Sequence, residues 1–337
     1  MNNMRKILFF IPLVLLFTAC EVEFSPNAEW KNIPAVYCLL DQDDDTTWVR
    51  VQRCYLTNGN IHDYGRESDS INYPQGSIIV SLLAYQNGVQ KDSMAFQYTT
   101  RNVDSGNFSY NAQPLYWFET RNCLNDDYTY VLTIRNAADG TILATTDPIA
   151  LIKKPSEKLF SKPSVTIING NDTIGGGFAF YDSDGSSLCC YMKWPALENA
   201  RLYQPIVRFY YERQGIVEHV DLKCPTVPSK RTETYYSRGL FLSELKNMLQ
   251  ADTARKRYIP RVDLYLTACT EDFNVYLSTV VSGSAISQNT DVYNNIKGGV
   301  GVFAARRRHL FMRMPSDDSV APRGLLTSLI NLGVGIY

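Results

Sequence analysis

The chain has 337 residues, of which 45% are hydrophobic, 20% charged and 12% aromatic. This length accommodates two domains of ordinary size, and the apolar content is enough to build a substantial core. With 33 basic and 34 acidic residues the formal net charge is −1, which excludes the overall basic field that typifies nucleic-acid-binding proteins.

The first twenty residues have the pattern of a secretory signal that ends at a lipidated cysteine. Arg5 and Lys6 precede the uncharged run at 7–17, which is shorter than the roughly 20 apolar residues of a membrane-spanning helix. Two small residues then lead to Cys20, as at a signal cleavage site. This arrangement resembles the bacterial lipobox, whose cysteine receives a diacylglycerol before the peptidase cuts in front of it. A plain signal peptide at 1–19 with a chance cysteine is the alternative.

Lipidation of Cys20 predicts a membrane-anchored protein. A single buried acyl chain anchors weakly, whereas the several chains of a bacterial lipoprotein, palmitate among them, hold firmly. Residues 20–33 are mostly polar, include Glu21 and Glu23, and are predicted to form a tether. Acidic residues directly after the cysteine resemble the surface-export signal of Bacteroidota-type lipoproteins. We therefore expect display on the outside of the outer membrane, with a periplasm-facing position as the alternative.

Strand patterns dominate residues 34–150. The predicted strands cover 34–40, 48–55, 77–85, 127–136 and 138–146. In the second of them, Val49 and Val51 alternate with Trp48 and Arg50, as on a strand with one buried face. Short strands separated by turn signals predict an immunoglobulin-like β-sandwich over 34–150.

A second β-rich domain is predicted over 164–323, after a linker at 151–163 that is rich in proline and lysine. Its predicted strands are 175–185, 187–194, 201–213, 215–223 and 261–269. One predicted helix, 240–250, has an apolar face made of Phe241, Leu245, Met248 and Leu249. The other, 270–281, begins at the capping residue Thr270 and has a buried stripe made of Phe273, Tyr276, Leu277 and Val280. The fold class is therefore mainly β, with at least two helices packed on the second domain.

The final segment, 324–337, is apolar and too short to cross a membrane as a helix. We predict that it docks as a tail, against a partner.

No recognised catalytic motif is present in the sequence. There is no G-x-S-x-G elbow, and the three histidines, His62, His219 and His309, are far apart along the chain. The glycine-rich stretch 294–308 lacks the spacing of a phosphate loop or a dinucleotide fingerprint. We interpret it as a turn that enters a strand. These features predict a binding protein without catalytic residues, cofactor or assigned metal site.

Two acidic stretches and one basic stretch have alternative interpretations. The aspartates at 41–45 and 182–185 are interpreted as solvated turns, with calcium binding at a sandwich loop as the alternative. The basic run at 306–309 is interpreted as a solvated strand end, with a phosphate or lipid-headgroup site as the alternative.

Apart from Cys20, the chain has seven cysteines: Cys38, Cys54, Cys123, Cys189, Cys190, Cys224 and Cys269. An odd number leaves at least one thiol unpaired, and no C-x-x-C pair suggests a zinc or redox site. The adjacent Cys189 and Cys190 point to opposite faces of a predicted strand, which disfavours a bond between them. Buried free thiols are the preferred interpretation, with one disulfide as the alternative.

Adjacent aromatic residues recur in the chain, which has 22 tyrosines. Sheet packing accounts for most of them. An exposed Tyr or Trp on a rigid sandwich can stack on a sugar or anchor a protein partner, and Trp117 and Trp194 are the residues whose fluorescence would report a ligand.

Several segments together resemble a family of Bacteroidota-type outer-membrane lipoproteins of unknown function. They are "PAVYCLLD" (34–41), "VRVQRCY" (49–55), "YTYVLTIRNAADGTILATT" (128–146), "LTACTEDFNVYLSTV" (266–280) and "DVYNNIKGGVGVFAAR" (291–306). The family's late segment has the form Y-S-N-I-x-G-G-x-G-x-F, and here Asn294 stands where Ser is usual. The resemblance implies an N-terminal immunoglobulin-like domain and genes that lie beside those of TonB-dependent receptors. It brings no catalytic residues with it.

The leading hypothesis is a non-enzymatic, lipid-anchored accessory or binding protein that works with a TonB-dependent nutrient-uptake receptor. The alternatives are a fimbrial or adhesin subunit that exchanges its 324–337 tail, and a surface protein that binds a glycan. The expected partners are the membrane through Cys20, the receptor, and a glycan or peptide ligand, but no nucleic acid.

Overall fold

The computed structural model describes residues 31–55, 60–102, 112–121, 123–154, 166–169, 172–175, 189–250, 255–282, 293–315, 329–331 and 333–337. Cys20 with the predicted signal, the acidic loop at 182–185 and nearly all of the predicted strand 175–185 lie outside these ranges. Within them, no helix combines the length and the apolar character that crossing a bilayer requires.

The elements of the first part of the chain are mostly strands, as the alternating patterns predict. They are β1 (Pro34–Asp41), β2 (Thr46–Arg53), α1 (Ile61–Arg66), α2 (Ser68–Ile71), β3 (Ile78–Gln86), β4 (Val89–Ala95), β5 (Gln97–Arg101), β6 (Gln113–Glu119), β7 (Thr129–Asn136), β8 (Ile142–Thr146) and β9 (Ile149–Ala150).

The second part has longer strands and two full helices. Its elements are β10 (Thr166–Asn169), β11 (Asp172–Gly175), β12 (Cys189–Lys193), β13 (Leu202–Arg213), β14 (Ile216–Lys223), β15 (Val227–Pro228), β16 (Glu233–Ser237), α3 (Arg238–Gln250), β17 (Arg257–Cys269), α4 (Glu271–Ser282), β18 (Ile296–Lys297) and β19 (Val300–Pro315).

The strands form three sheets. The long sheet has the order β14-β13-β17-β19-β1-β2-β6-β5, with β15 added to β13. The facing sheet has the order β18-β8-β7-β3-β4, with β9 added to β7, and a small third sheet has the order β11-β10-β12-β16. Neighbouring strands are antiparallel except for β1 and β19, which run parallel.

The part of the long sheet formed by β1, β2, β6 and β5 packs against the facing sheet, and the two enclose one apolar core. Alternation along β1 and β2 sends Val36, Leu40, Val49 and Val51 into this core, where they meet Leu82, Leu132 and Ile134 of the facing sheet. Burial of this apolar surface stabilises the pairing of the two sheets. The arrangement confirms the predicted mainly β fold with an N-terminal immunoglobulin-like sandwich.

The C-terminal part of the chain completes both sheets of that sandwich. Residues 296–297 pair with β8 in the facing sheet, and residues 300–306 pair in parallel with β1 in the long sheet. These residues belong to the predicted domain 164–323. The start of the predicted linker is also buried, because Leu151 enters the first core and Ile152 the second. One continuous sheet therefore joins the two halves.

Glycines make the crossing between the two sheets sterically feasible. A Cβ on Gly301 would lie 1.9 Å from the Val36 carbonyl oxygen, and one on Gly299 would lie 2.6 Å from the Pro34 oxygen. Gly301 also has φ +125, which side-chain-bearing residues rarely adopt. The glycine-rich stretch is thus a turn that enters a strand, as we interpreted it.

The second core lies beneath the other half of the long sheet. Val207, Phe209 and Leu264 of the sheet meet Leu245 and Leu249 of α3 there. The predicted face of this helix was wrong at Met248, which is 42% exposed, whereas Leu242 is buried in the core. The two residues flank the buried stripe, and the helical period alone does not decide which flank turns inward. The side chain of Phe241 lies outside the described part of the structure.

The C-terminal tail docks on this second core of its own chain. Leu329, Val334 and Ile336 are buried in it. The tail also adds main-chain hydrogen bonds to the start of β17, from Lys256 N–H to the Gly335 oxygen (2.9 Å) and from Tyr258 N–H to the Tyr337 oxygen (2.8 Å). The predicted docking therefore takes place within the described chain itself.

Candidate functional site

The long sheet has one face that does not belong to either core, which we call the outer face. Its side chains alternate with the core residues along every strand. On strands β1, β2, β5 and β6 the outer face carries Tyr37, Leu39, Trp48, Arg50, Thr99, Arg101, Leu115 and Trp117. On strands β13, β14, β17 and β19 it carries Arg208, Tyr210, Asp221, Asp263, Tyr265, Thr267, Arg306 and Arg308.

Helix α4 lies on the outer face beside β19. Its Tyr276 ring meets Tyr37 edge-on at 6.4 Å between centroids. Thr270 precedes the helix as predicted, and its carbonyl oxygen accepts the Asn274 N–H, but its hydroxyl accepts the Ala305 N–H of β19. The predicted buried stripe was wrong, because α4 is only half-buried at Phe273, Tyr276 and Leu277. These three side chains do not belong to either core, and that of Val280 lies outside the described part of the structure.

Two tryptophans and two arginines form a compact group on the outer face, which we call the tryptophan patch: Trp48, Trp117, Arg50 and Arg101. Trp48 of β2 is directly opposite Trp117 of β6. Their rings are 6.2 Å apart between centroids and inclined by 36°. The Arg101 guanidinium lies 4.1 Å above the Trp48 ring, a cation–π contact. The four side chains thus bring aromatic surface and positive charge together on a rigid sheet.

Sequence reasoning found only part of this patch. Trp48 and Arg50 were assigned to one strand face and Trp117 was named as a reporter, but their pairing across two distant strands was not predicted. A Trp at an outward position of each strand was the available signal. The expectation for Trp194 was wrong, because its side chain is 3% exposed and packs against Tyr203 in the second core.

A second polar group lies on the outer face between β13, β14 and β17. Arg208 makes a two-point ion pair with Asp221 at 2.6 and 2.8 Å, and its guanidinium lies over the Tyr265 ring. Tyr210 donates its hydroxyl to the fully buried Asp263 carboxylate at 2.9 Å. Burial, with this hydrogen bond, raises the pKa of Tyr210 to about 12. These groups satisfy one another, so the cluster has the character of a structural network.

The acidic turn and the basic strand contact each other. The turn is solvated at Asp43, Asp44 and Asp45 as interpreted, but Asp41 is buried, and the basic run was wrongly interpreted as a solvated strand end. Arg306 pairs with Asp41 and with Asp44, the latter at 3.5 Å. Arg307, only 6% exposed, lies 3.7 Å from Asp43 and bonds Asp126 at 2.8 Å. The reason for the error is that residues 41–45 and 306–307 are brought together only by the parallel pairing of β1 and β19.

This contact also bears on the alternative interpretation that residues 41–45 bind calcium. Partial burial raises the pKa of Asp43 to about 6, although the nearby Arg307 opposes that shift. Arginines thus take the place that a cation would occupy beside these carboxylates. In the part of the chain that the structure describes, no group of three or more Asp, Glu, His or Cys residues is arranged to hold a metal ion.

The described histidines and cysteines do not form a common site. His219 pairs with Tyr210 on the outer face, whereas His309 pairs with Leu266 on the opposite face. Among the residues that the structure describes, Cys38, Cys54, Cys123, Cys224 and Cys269 are not joined in disulfides. Burial raises the pKa of Cys38, and burial with the nearby Glu271 raises that of Cys269 to about 12, so both thiols are held in the neutral form. The side chains of Cys189 and Cys190, like that of His62, lie outside the described part of the structure.

Comparison with known proteins assigns no family. No family model matches the chain, and no curated protein matches it. Among solved structures, a match is to the FN1–FN3 domains of chicken CNTN1, at 8% sequence identity and a TM-score of 0.23. The match covers 70% of this chain and 60% of that structure. We infer neither family nor function from it.

Proposed function

We propose that this protein is a lipid-anchored, non-enzymatic binding protein of the bacterial outer membrane that works as an accessory to a TonB-dependent uptake receptor. The observation that carries the binding role is the tryptophan patch. Paired Trp48 and Trp117 with Arg50 and Arg101 form the kind of aromatic and cationic surface that dominates binding energies at interfaces.

The rigidity of the patch supports this role. Val49, which follows Trp48, and Tyr116 and Phe118, which flank Trp117, are buried in the first core. The strands therefore cannot twist the indoles inward without exposing that core. A preformed surface loses little conformational entropy when it binds, which favours affinity.

The anchor comes from the sequence. A lipobox-like Cys20, followed by a polar tether to residue 33, would hold the folded part close to the membrane surface. A position there suits a protein that presents a ligand to a neighbouring barrel.

The test is affinity purification of the full chain from native membranes in a mild detergent, followed by mass spectrometry. We expect an acylated N-terminal peptide that begins at Cys20, together with stoichiometric recovery of a TonB-dependent receptor. The control is Cys20→Ser, which should remain unacylated and leave the membrane fraction. Recovery of the protein alone, or as a ladder of its own copies, would contradict the accessory role.

A further inference from the structure

We propose that the tryptophan patch is a binding site for an anionic polysaccharide, one built from carboxylated sugars. This inference names the ligand of the proposed binding role and rests on that role. It follows from the aromatic geometry, from the uncompensated charge, and from the way in which these two features are arranged.

The aromatic part of the patch suits a sugar ring. Trp48 and Trp117 are half-buried, so each indole is fixed at its base and accessible above. Their ring centroids are 6.2 Å apart and their planes are inclined by 36°, so the two indoles do not form a single flat wall. The C–H face of a pyranose buries apolar area against such rings, while its hydroxyl groups stay in water.

The charge of the patch selects an anion. Among the residues that the structure describes, neither Arg50 nor Arg101 makes a salt bridge, in contrast to Arg208, Arg306 and Arg307. Arg101 is exposed, and Arg50 lies on the same face as Trp48, two residues further along β2. The two positive charges beside the indoles are therefore not offset by an ion pair within the described residues.

One acidic residue, Glu119, lies near the tryptophan patch. Glu119 follows Trp117 by two residues on β6 and is exposed. Its charge contributes to raising the pKa of Arg121, whose guanidinium also bonds Asp45. Because Arg121 is already paired with Asp45, Glu119 offsets part of the local positive charge, and Arg50, Arg101 and Glu119 together keep a net positive charge.

The cation–π contact indicates how a bound sugar would be oriented in the site. The Arg101 guanidinium covers the Trp48 ring, which leaves Trp117 as the ring on which a sugar stacks. The spacing of the N–H donors of a guanidinium fits the two oxygens of a carboxylate, so Arg101 can hold an anionic group beside the indoles. We therefore expect the sugar ring over Trp117 and its carboxylate at Arg101, with Arg50 contributing long-range attraction.

The probes are polygalacturonate and the same polymer after complete methyl esterification, which removes the charge but keeps the sugar ring. Binding to the full-length protein in detergent is followed by calorimetry and by tryptophan fluorescence. We expect polygalacturonate to bind and to change the fluorescence, with at least tenfold weaker binding of the ester. A polyglutamate of equal length tests whether charge alone is sufficient, and it should bind at least tenfold more weakly than polygalacturonate.

Variants separate the two parts of the site. Trp117→Ala and Arg101→Gln should each weaken polygalacturonate binding about tenfold or more. Arg101→Gln should also reduce the difference in affinity between polygalacturonate and its methyl ester. Tyr64→Ala and Arg66→Gln, which alter exposed residues of α1, are the matched controls and should bind as the unaltered protein does. Thermal melting checks that Trp117→Ala is folded, and Arg101→Gln tests the site without touching a ring.

Three outcomes would overturn the proposal. The first is the absence of measurable polygalacturonate binding, and the second is equal binding of polyglutamate. The third is polymer binding that survives both Trp117→Ala and Arg101→Gln. Loss of receptor recovery with these variants, in the absence of polymer binding, would assign the patch to a protein partner instead. The three binding outcomes do not depend on whether a receptor is recovered with the unaltered protein, so failure of this inference is distinct from failure of the proposed function.

Discussion

Arg307 and Asp126 are 181 residues apart in the chain and form a two-point ion pair, with N–O distances of 2.8 and 3.1 Å. Arg307 also donates to the Ile152 carbonyl oxygen at 2.7 Å. One buried guanidinium therefore joins β19, the loop before β7 and the segment that connects the two cores.

The first prediction concerns this ion pair. Asp126→Ala leaves the Arg307 guanidinium buried without its closest carboxylate, and removal of one partner of a buried pair destabilises by about 3–5 kcal/mol. We expect a loss of that size in the free energy of unfolding, measured by urea denaturation. Arg121→Gln breaks the exposed, solvent-screened pair with Asp45 and is the control, with an expected loss much smaller than that of Asp126→Ala. Equal losses for the two variants would show that Arg307 is not stabilised by Asp126.

The second prediction concerns the parallel pairing of β1 and β19. Gly301→Ala places a methyl group 1.9 Å from the Val36 oxygen at a positive φ, so the two strands must separate. Backbone strain and overpacking each cost about 1–3 kcal/mol, and together they should abolish folding or lower the melting temperature steeply. Gly140→Ala has a positive φ but open space around its Cβ, and should cost about 1 kcal/mol. A Gly301→Ala protein as stable as Gly140→Ala would disprove the close approach of β1 and β19.

The third prediction concerns the C-terminal tail. Deletion of residues 333–337 removes the buried Val334 and Ile336 side chains, each worth about 1.5–3 kcal/mol. We expect a markedly lower melting temperature and an unchanged, non-polymeric elution in size-exclusion chromatography. Tyr337→Ala is the control, because this ring is exposed and its contact with Arg255 is worth about 1 kcal/mol or less. If instead the unaltered protein forms ladders that disappear with the deletion, the tail is exchanged between copies and the fimbrial alternative gains support.

The fourth prediction concerns thiol reactivity. Cys123 is exposed, whereas Cys38, Cys224 and Cys269 are buried, so of these four thiols only that of Cys123 is accessible to a reagent. Iodoacetamide treatment of the native protein, followed by peptide mass spectrometry, should label Cys123 first and leave these three unlabelled until the protein is denatured. Cys123→Ser should remove the fast phase. Rapid native labelling of Cys269 would contradict its burial.

The fifth prediction concerns His309 and pH. Burial lowers the pKa of His309, with smaller contributions from the positive charges of Arg307 and Lys154. In the unfolded chain this histidine titrates near its ordinary value, so below about pH 6.5 the unfolded state binds more protons and stability falls.

This effect is isolated by comparing the unaltered protein with His309→Gln. The difference between their free energies of unfolding should be constant above about pH 7.5 and should shift against the unaltered protein as the pH falls to 5. Because every other titrating group is shared, its effect cancels in this difference. A difference that does not vary with pH would show that His309 titrates alike in both states.

Local patterns were sufficient to identify which face of a strand is buried. Val49 and Val51 were predicted to lie opposite Trp48 and Arg50, and the structure buries the two valines and leaves the other two at the outer face. Such patterns succeed because the strand period of two is imposed by the backbone alone. The glycines before β19 could also be interpreted as a turn from the local sequence alone, because glycine favours turns whatever lies beside it.

Pairing between distant segments was decided only by the tertiary structure. Arg307 with Asp126, Trp48 with Trp117, and the parallel contact of β1 with β19 all join residues that are far apart in the chain. A one-dimensional period records which way a side chain points but not which strand lies beside it. That choice depends on how all the apolar faces are buried together, so the sequence alone predicted the β-sandwich and its outward-facing residues, and the fold decided which of them meet in the tryptophan patch.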